Sequence, residues 1–373
     1  MRTIDWLDGF VRIIDQTRLP QTETHIDVHD VEDLVVHIRS LAVRGAMALG
    51  VAGAMGMALA ATRAERDHLD MDGELAAAAR LLVEARPTAV NLAWGVGEIQ
   101  KVRAAGAGAA GIVAAALAIR DADLDANSAL SERGARLLAR ARRILTHCNA
   151  GALAGVEYGT ALGVIGRLHA TTGLDMVYVC ETRPLLQGSR LTAWELGRHG
   201  IAHRVIVDSA AAGLILAGGV DAVVVGADRV AANGDVANKV GTLGHALAAR
   251  HAGIPFVVAA PESTIDLGTP TGSDIPIEIR DEREVLEIDG RRVAAPGSLG
   301  WNPAFDITPS ALVTAIVTER RSLNDPRDDG RHRSPNDPRN GTEPPSPNEP
   351  RSRTEHPSPN DLWNRTTPEE DLV

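Results

Sequence analysis

The chain has 373 residues, 44% of them hydrophobic, which is enough for a sizeable core and, by length, for two domains. Its net charge of -11 argues against non-specific nucleic-acid binding, because such binding needs a basic surface that displaces counterions. Only two cysteines are present, so the composition predicts neither a disulfide framework nor a zinc ligand set.

The opening segment, MRTIDWLDGFVRIIDQTRLP, carries acidic residues where a signal peptide would need a basic region and an apolar core. We expect no apolar run to reach the length of a membrane span. The sequence therefore predicts a cytoplasmic protein that has no membrane partner. Acidic and apolar positions alternate in DGFVRIID, which predicts a small strand pair or an edge strand.

Residues up to about 140 have the spacing of helices. Apolar residues recur every three or four positions in VEDLVVHIRSLAVRGAMALGVAGAMGMALAATRAE and in LSERGARLLARARRIL. The segment GAGAAG, Gly106 to Gly111, matches the dinucleotide-binding pattern, but a helical stretch precedes it instead of the strand that such a site requires. We therefore interpret it as a loop between helices.

Beyond about residue 144, short β-rich runs alternate with helical stretches. The runs MVYVC, RVIV, AVVVGA and PFVVAA each end in polar or small residues. Such alternation favours a parallel sheet covered by helices on both faces. We predict an α/β protein with a mainly helical N-terminal domain over residues 1–140 and a Rossmann-like parallel-sheet C-terminal domain over residues 141–320.

Ligands of open parallel sheets bind at the carboxyl ends of the strands. In this chain those ends carry Cys148, Glu181-Thr182-Arg183, Asp208-Ser209 and Asp228. Partial burial of Asp228 would raise its pKa toward the range of a general acid or base, although a helix N-cap explains an aspartate there equally well.

Cys148 lies in RILTHCNAGALA, where a strand is predicted to open into a loop. Its neighbour His147 would point to the opposite face of an extended segment, which argues against a thiolate–imidazole dyad. Cys180, which also ends a predicted strand, has the pattern of a small core hydrophobe.

Several groups suited to an anion lie elsewhere in the chain. Gln187, with Gly188 and Ser189, lies at a predicted helix start, which is a natural phosphate cradle. The sequence therefore suggests a phosphorylated small molecule as ligand. The other candidate groups are Arg44 followed by Gly45 and Ala46, then Arg86, and then Asn238 and Lys239.

The C-terminal segment, residues 321–373, has a different composition. It holds 10 of the chain's 20 prolines and almost no aliphatic residues, and NDPR, SPND and SPNE recur along it. Such a segment buries too little apolar surface to offset the entropy lost on ordering, so we predict a disordered tail, either dispensable or partner-binding.

The motifs taken together resemble the methylthioribose-1-phosphate isomerase family, a branch of the translation initiation factor 2B-like superfamily. The similarity covers roughly residues 1–320. Its ordered motifs are RGAMALG, RPTAVNLAWG, ILTHCNAGALA, ETRPLLQGSRLTAWEL, VDSAAAGLI, GADRVAANGDVANKVGT, PFVVAAPESTID and PAFDITP.

The resemblance implies an aldose–ketose isomerase of L-methionine salvage that converts 5-methylthioribose 1-phosphate to 5-methylthioribulose 1-phosphate. It implies a homodimer, and neither a metal nor an organic cofactor. Cys148 and Asp228 take the positions of the catalytic acid–base pair, which would act through a cis-enediol(ate) or polarise a hydride shift. The substrate-binding positions fall on Arg44, Gly45, Ala46, Arg86, Gln187, Asn238 and Lys239.

Two departures from the family pattern leave the substrate open. Met47 stands where proline is more usual, and Leu243 where tyrosine is more usual. A related sugar 1-phosphate, such as 5-deoxyribose 1-phosphate or ribose 1,5-bisphosphate, therefore remains an alternative. A regulatory subunit similar to those of the translation factor is a second alternative, although such subunits lack the Cys/Asp pair. A nicotinamide-dependent dehydrogenase is a third, and it lacks a correctly placed glycine fingerprint.

Overall fold

The structure, a computed structural model, describes residues 2–87 and 89–324. The predicted tail therefore lies outside the described residues except for its first four. Those four are ordered: Ser322–Leu323 forms a strand, Leu323 is buried, and the Arg321 guanidinium donates to both carboxylate oxygens of Glu262. The prediction that disorder begins at Arg321 is therefore wrong by at least these four residues.

The N-terminal part of the chain packs helices on a small antiparallel sheet. Its elements are β1 Ile4–Leu7, β2 Phe10–Ile14, β3 His25–Val28, α1 Val31–Arg39, α2 Ala46–Arg66, α3 Met71–Ala85, α4 Val90–Ala104 and α5 Ala109–Leu137. The strand pair predicted for DGFVRIID is confirmed, because β1 and β2 form a hairpin. Asp8 and Gly9 both have positive φ at its turn, as a two-residue type I′ hairpin requires.

The loop predicted around GAGAAG is also confirmed. Helix α4 ends at Ala104 and α5 begins at Ala109, so the glycines join two helices and follow no strand. A dinucleotide fingerprint needs the opposite context, with a strand leading into the turn.

The C-terminal part is built on a seven-stranded sheet. Its elements are β4 Arg143–Thr146, α6 Ala161–Thr172, β5 Met176–Cys180, α7 Ala193–Arg198, β6 His203–Ile206, α8 Ala211–Leu216, β7 Ala222–Val225, β8 Arg229–Ala231, β9 Val236–Lys239, α9 Thr242–Ala252, β10 Phe256–Ala259, β11 Ile265–Asp266, α10 Arg283–Leu286, β12 Glu287–Ile288, β13 Arg291–Arg292, β14 Phe305–Thr308, β15 Ala315–Val317 and β16 Ser322–Leu323.

The strand order of this sheet is β16-β15-β10-β7-β4-β5-β6, and all its pairings except β15 with β16 are parallel. Side chains alternate between its faces. Ile144 packs in the core that α5 and α6 cover, whereas Leu145 packs in the core of α8 and α9. The predicted α/β fold with a parallel sheet covered on both faces is confirmed.

The order of the strands reverses next to β4. The chain runs from β4 outward through β5 and β6 on one side, and from β7 outward through β10 and β15 on the other. The carboxyl ends of β4 and β7 therefore flank the topological switch point, where open α/β sheets bind their ligands. A smaller sheet, in the order β11-β8-β9-β14, follows directly from β7.

Helix α2 has the length and composition of a membrane span, with a mean hydropathy of 1.3 over its apolar window. The expectation that no apolar run reaches such a length is therefore wrong on those criteria. The fold buries 78% of that window, so α2 is the central helix of the N-terminal core.

Helices α2 and α4 approach each other closely because glycines lie at their crossing. A Cβ atom built on Gly95 would lie 2.0 Å from the Gly50 carbonyl oxygen, and one on Gly53 would lie 2.6 Å from the Leu92 carbonyl oxygen. Both obstacles are backbone atoms, which cannot rotate away. The crossing therefore requires glycine.

We expect Gly95→Ala to destabilise the protein by at least about 1–3 kcal/mol, the usual range for an overpacked core. Gly97→Ala in the same helix is the matched control, because among the described residues nothing lies within 4 Å of its added Cβ. That control should gain roughly 0.5–1 kcal/mol from helix propensity. Urea unfolding followed by circular dichroism measures both; equal effects of the two substitutions would contradict the packing argument.

Candidate active site

A pocket lies at the switch point, between the N-terminal helices and the carboxyl ends of β4 and β7. Residues from both parts of the chain line it, so neither part forms the pocket alone. The pocket is lined by all nine residues that the family resemblance assigned to catalysis or substrate binding: Arg44, Gly45, Ala46, Arg86, Cys148, Gln187, Asp228, Asn238 and Lys239.

The N-terminus of α2 opens into this pocket. Gly45 precedes the helix with φ +94°, and a Cβ there would lie 2.4 Å from the Ala154 Cα, so only glycine fits. In the described part of the chain α2 has no side-chain N-cap, which leaves its first backbone amides available. These amides and the positive end of the helix dipole favour an anion beside Arg44.

Arg44 is held by a buried chain of polar groups. Its Nη2 donates to the Asn149 Oδ1, and the Asn149 Nδ2 donates to the Glu195 Oε1 over 2.7 Å. The other oxygen of Glu195 accepts from the Ala152 amide over 2.6 Å. Burial lowers the pKa of Arg44, and the Arg44 Nε has no hydrogen-bond partner among residues 2–87 and 89–324. One donor of the guanidinium is therefore available for a ligand.

Cys148 lies two residues beyond β4, with φ +63° in the left-handed region. Its amide donates to the Thr182 Oγ1 over 2.9 Å, and its carbonyl accepts from the Thr192 hydroxyl over 2.7 Å. Both backbone groups are thus fixed, which sets the direction of the thiol. Burial raises the pKa of Cys148, and the positive charges of Lys239 and Arg44 oppose that rise.

Asp228 lies between β7 and β8. The N-cap interpretation is wrong, because a strand and not a helix follows this residue. Burial raises the pKa of the Asp228 carboxyl, against the attraction of Lys239, Arg86 and Arg44. Such a group retains a proton to higher pH than an exposed aspartate, as a general acid requires.

Asn238 and Lys239 end strand β9 and are both buried. The Asn238 Nδ2 donates to the Thr242 Oγ1 over 3.0 Å, which fixes the amide. The Lys239 ammonium lies 4.8 Å from the centre of the Phe305 ring, close enough for a cation–π contact. Pairing of β9 with β14 brings this ring beside the lysine.

Gln187 precedes a single π-helical turn, Gly188–Thr192, instead of an α-helix start. Its side chain is buried, and its Oε1 has no partner within the described ranges, so it is available to a ligand hydroxyl. Gly188 and Ser189 do not line the pocket described here, and the Ser189 hydroxyl donates to the Leu186 carbonyl. Of the three residues predicted to form a phosphate cradle, Gln187 alone lines this pocket.

Not every strand end contributes. Within the part of the chain that the structure describes, Glu181, Arg183, Asp208 and Ser209 are outside the pocket lining. Asp208 accepts from the backbone amides of Thr182 and Arg183, over 2.8 and 2.7 Å, and so shapes the β5 loop. The expectation that all these polar ends meet at one site is therefore wrong for β5 and β6.

Pairing of His147 with Cys148 is absent among the described contacts, as strand geometry predicted. The His147 Nε2 lies 2.9 Å from the Val240 carbonyl oxygen, and the ring is buried. Cys180 is fully buried in the core, as its sequence pattern indicated.

Sequence reasoning missed the residues that support the site. Asn149 and Glu195 are separated by 46 positions and from Arg44 by more, so no local pattern joins them. The Arg280 guanidinium, which also lines the pocket, pairs with Glu284 and Glu278. The one available signal was position: Asn149 directly follows Cys148 at a strand end.

The fold and the pocket define an α/β protein in which a thiol and a carboxyl share a buried, cationic pocket suited to a small anion. The model of the initiation factor 2 subunit family matches residues 42–324. The chain belongs to this family.

Its relatives carry names of sugar-phosphate isomerases. A methylthioribose-1-phosphate isomerase of Alkalilimnicola ehrlichii is 48% identical over 328 residues, covering 87% of this chain and 95% of that protein. A 5-deoxyribose 1-phosphate isomerase of Moorella thermoacetica is 50% identical over 333 residues, covering 87% and 94%. The solved 5-methylthioribose 1-phosphate isomerase of Pyrococcus horikoshii matches with a TM-score of 0.80 and 41% identity, covering 86% and 92%. The resemblance found in the sequence is confirmed.

The polar chain behind Arg44 predicts a pH effect on stability. Burial raises the pKa of Glu195 from 4.5 to about 7. The folded protein then favours protonated Glu195, so this contribution to stability is fully present below pH 4.5 and is lost as the pH rises through about 7. At pH 8 the loss amounts to about 3 kcal/mol.

We therefore expect the free energy of unfolding to fall less between pH 5 and pH 8 in Glu195→Gln than in the wild type. Urea titrations at both pH values measure it. The test compares how much the free energy of unfolding changes between the two pH values in each protein. The absolute stability is not the test, because the glutamine also loses one hydrogen-bond acceptor. Equal changes in the two proteins would show that Glu195 is ionised throughout.

Proposed function

We propose that this protein is an aldose–ketose isomerase that converts 5-methylthioribose 1-phosphate to 5-methylthioribulose 1-phosphate in L-methionine salvage. The observation that carries the proposal is the placement of Cys148 and Asp228 after the two strands that flank the switch point, in one buried pocket. The names of the similar isomerases support the same reaction.

The anion site at the N-terminus of α2 binds the phosphate of the substrate. Arg44 supplies charge and a free Nε donor there, and the Gly45–Ala46 backbone comes close without a side chain. Arg86 and Lys239 add positive charge around the sugar, while Gln187 and Asn238 offer amides to its hydroxyls. In a buried pocket these interactions are stronger than in water.

Ring opening is the first step, since the phosphate on C1 holds the sugar as a closed glycosyl phosphate. Protonated Asp228 donates to the ring oxygen as the bond from that oxygen to C1 breaks. Burial, which raises the pKa of Asp228, keeps this proton available. The proton on C2 then leaves to a base, and C1 and C2 become joined by a double bond as an enediol phosphate.

Cys148 is the base that takes the C2 proton and returns it to C1. The electron pair of the double bond forms the new C1–H bond, while the C2 hydroxyl gives its proton to the Asp228 carboxylate left by ring opening and becomes the ketone carbonyl. Lys239 and Arg44 stabilise the thiolate, and the raised pKa of Cys148 makes that thiolate a stronger base. Thiol and carboxyl thus transfer protons, and neither forms a covalent adduct.

A second cavity adjoins the pocket. Its lining supports the proposal that the substrate carries a methylthio group at C5. The two share Gly45, Ala46, Arg86 and Asp228, so a ligand can extend from one into the other. The far end of the second cavity is largely apolar: Leu49, Ala89, Val90, Ile275 and Pro276. Glu278 lines both cavities, and the charged side chains of Arg86 and Arg229 also line the second.

We expect kcat/KM to be highest for 5-methylthioribose 1-phosphate, lower for 5-deoxyribose 1-phosphate and lowest for ribose 1,5-bisphosphate. Losing the methylthio contact should cost at least about tenfold, the scale of small apolar groups in a pocket. Ketose formation without added metal or nucleotide is the assay. A preference for either alternative would replace the proposed substrate, and turnover of none would favour a regulatory subunit without catalysis.

Cys148→Ala and Asp228→Asn should each lower kcat at least roughly a hundredfold, since each removes an acid–base group. Asp175→Asn is the matched control, because this carboxyl is exposed at the turn before β5 and lies outside the pocket. Near-normal turnover in either pocket variant would remove that residue from the mechanism, provided circular dichroism shows an unchanged fold.

We further propose a cytoplasmic homodimer whose reaction needs no cofactor. The apolar side chains of Val205, in edge strand β6, and of Val207, directly after it, are 44% and 54% exposed and support a contact between two copies at this edge. Light scattering from the purified chain measures the mass in solution, and cell fractionation measures the location.

A further inference from the structure

A compact group of three buried side chains lies directly behind Cys148. His147, Cys180 and His245 are 1%, 0% and 4% exposed, and their ligand atoms all lie within 4.8 Å of one another. The His245 Nε2 lies 3.3 Å from the His147 Nδ1 and 3.6 Å from the Cys180 Sγ. Each member comes from a different element: the end of β4, the end of β5 and helix α9.

The hydrogen bond of His147 fixes its tautomer. Its Nε2 lies 2.9 Å from the Val240 carbonyl oxygen, which only accepts, so Nε2 carries the hydrogen and Nδ1 presents a lone pair. The lone pair on Nδ1 is therefore directed into the group.

Hydrogen bonds within the group do not satisfy all of these atoms. The His245 Nε2 carries at most one hydrogen, which bridges either to the His147 Nδ1 or to the Cys180 Sγ. Asp208 adds a carboxylate oxygen 3.9 Å from the same Nδ1. The His147 lone pair and the Cys180 sulfur thus lie close together, with the Asp208 oxygen nearby, as the ligand atoms of a cation do.

We propose that His147, Cys180 and His245 bind a zinc ion, with Asp208 as the fourth ligand. A tetrahedral zinc ion with bonds of about 2.0 Å to nitrogen and about 2.3 Å to sulfur separates two nitrogens by about 3.3 Å and nitrogen from sulfur by about 3.6 Å. The His245 Nε2 lies 3.3 Å from the His147 Nδ1 and 3.6 Å from the Cys180 Sγ. The His147 Nδ1 and the Cys180 Sγ lie within 4.8 Å of each other, and the Asp208 oxygen lies 3.9 Å from that Nδ1, so these side chains would draw together around the ion. Thiolate and carboxylate together also balance the charge of the ion, so the buried site is neutral.

The surroundings match those of metal sites. Ligating histidines usually donate their second ring N–H to a carbonyl or carboxylate, as the His147 Nε2 does to Val240. Asp208 is itself held by the amides of Thr182 and Arg183. The donor set of one sulfur, two imidazoles and one carboxylate is typical of zinc.

Such an ion would be structural and would support the catalytic thiol from behind. It would tie the ends of β4 and β5 to α9. Cys148 is the next residue after His147, and its amide donates to the hydroxyl of Thr182, two positions after Cys180. Counting cysteines predicted no zinc set, because the two histidines lie 98 positions apart and have no motif spacing.

Cobalt substitution tests the site without any measurement of activity. Cells grown with Co2+ supply the ion while the chain folds, which avoids the need for it to enter a buried site. The Cys148→Ser variant is the background, since Cys180 is then the single remaining thiol. We expect about one equivalent of cobalt, tetrahedral visible bands and a thiolate-to-cobalt charge-transfer band, and about one equivalent of zinc after growth with Zn2+.

His245→Gln in the same background is the comparison, because it removes one ligand at similar volume. It should lose the charge-transfer band and most of the bound metal. Less than about a tenth of an equivalent of either metal in the background protein would overturn the proposal. Equal metal content with and without His245 would overturn it too. If His245→Gln does not fold, Cys148→Ser alone is the test. The charge-transfer band then supports the metal site, and its absence overturns the proposal.

Discussion

The burial of charge at the switch point is the constraint on which the site depends. Arg44, Arg86 and Asp228 lie together in the cleft, and partial loss of hydration there shifts each pKa toward the neutral form. Their mutual attraction opposes those shifts and keeps opposite charges together in one pocket. A buried ion whose partner is removed is strongly destabilising, so these groups form an interdependent set. The two parts of the chain must come together before the set is complete.

The sequence was most informative where local geometry is simple. Parallel strands place their carboxyl ends at one edge, so the strand pattern put Cys148 and Asp228 at one edge together with Glu181 and Asp208. The family resemblance then separated the pair from the other two. The glycine before α2 was identified as an anion-binding position, but the break between α1 and α2 was missed, because the apolar spacing continues across it. Strand alternation likewise predicted the sheet and its two covered faces.

What the sequence left hidden depends on contacts between distant segments. Glu195 occupies an ordinary position in a short helix, and its contact with Asn149 exists only after the chain has folded. Asp208 has the same strand-end position as Asp228, yet its carboxylate binds backbone amides. Which strand ends face the ligand follows from strand order, and the order cannot be derived from the pattern of one strand.

Helix α5 extends over 29 residues and belongs to both hydrophobic cores. Ile112 and Ala116 pack in the N-terminal core, and Leu130 and Ala135 pack in the core beneath the large sheet. One rigid element is thus shared by the two halves that enclose the pocket. The halves are therefore expected to melt as one cooperative unit, and the width of the cleft is set by this shared helix. A hinge motion between the halves would have to bend this helix.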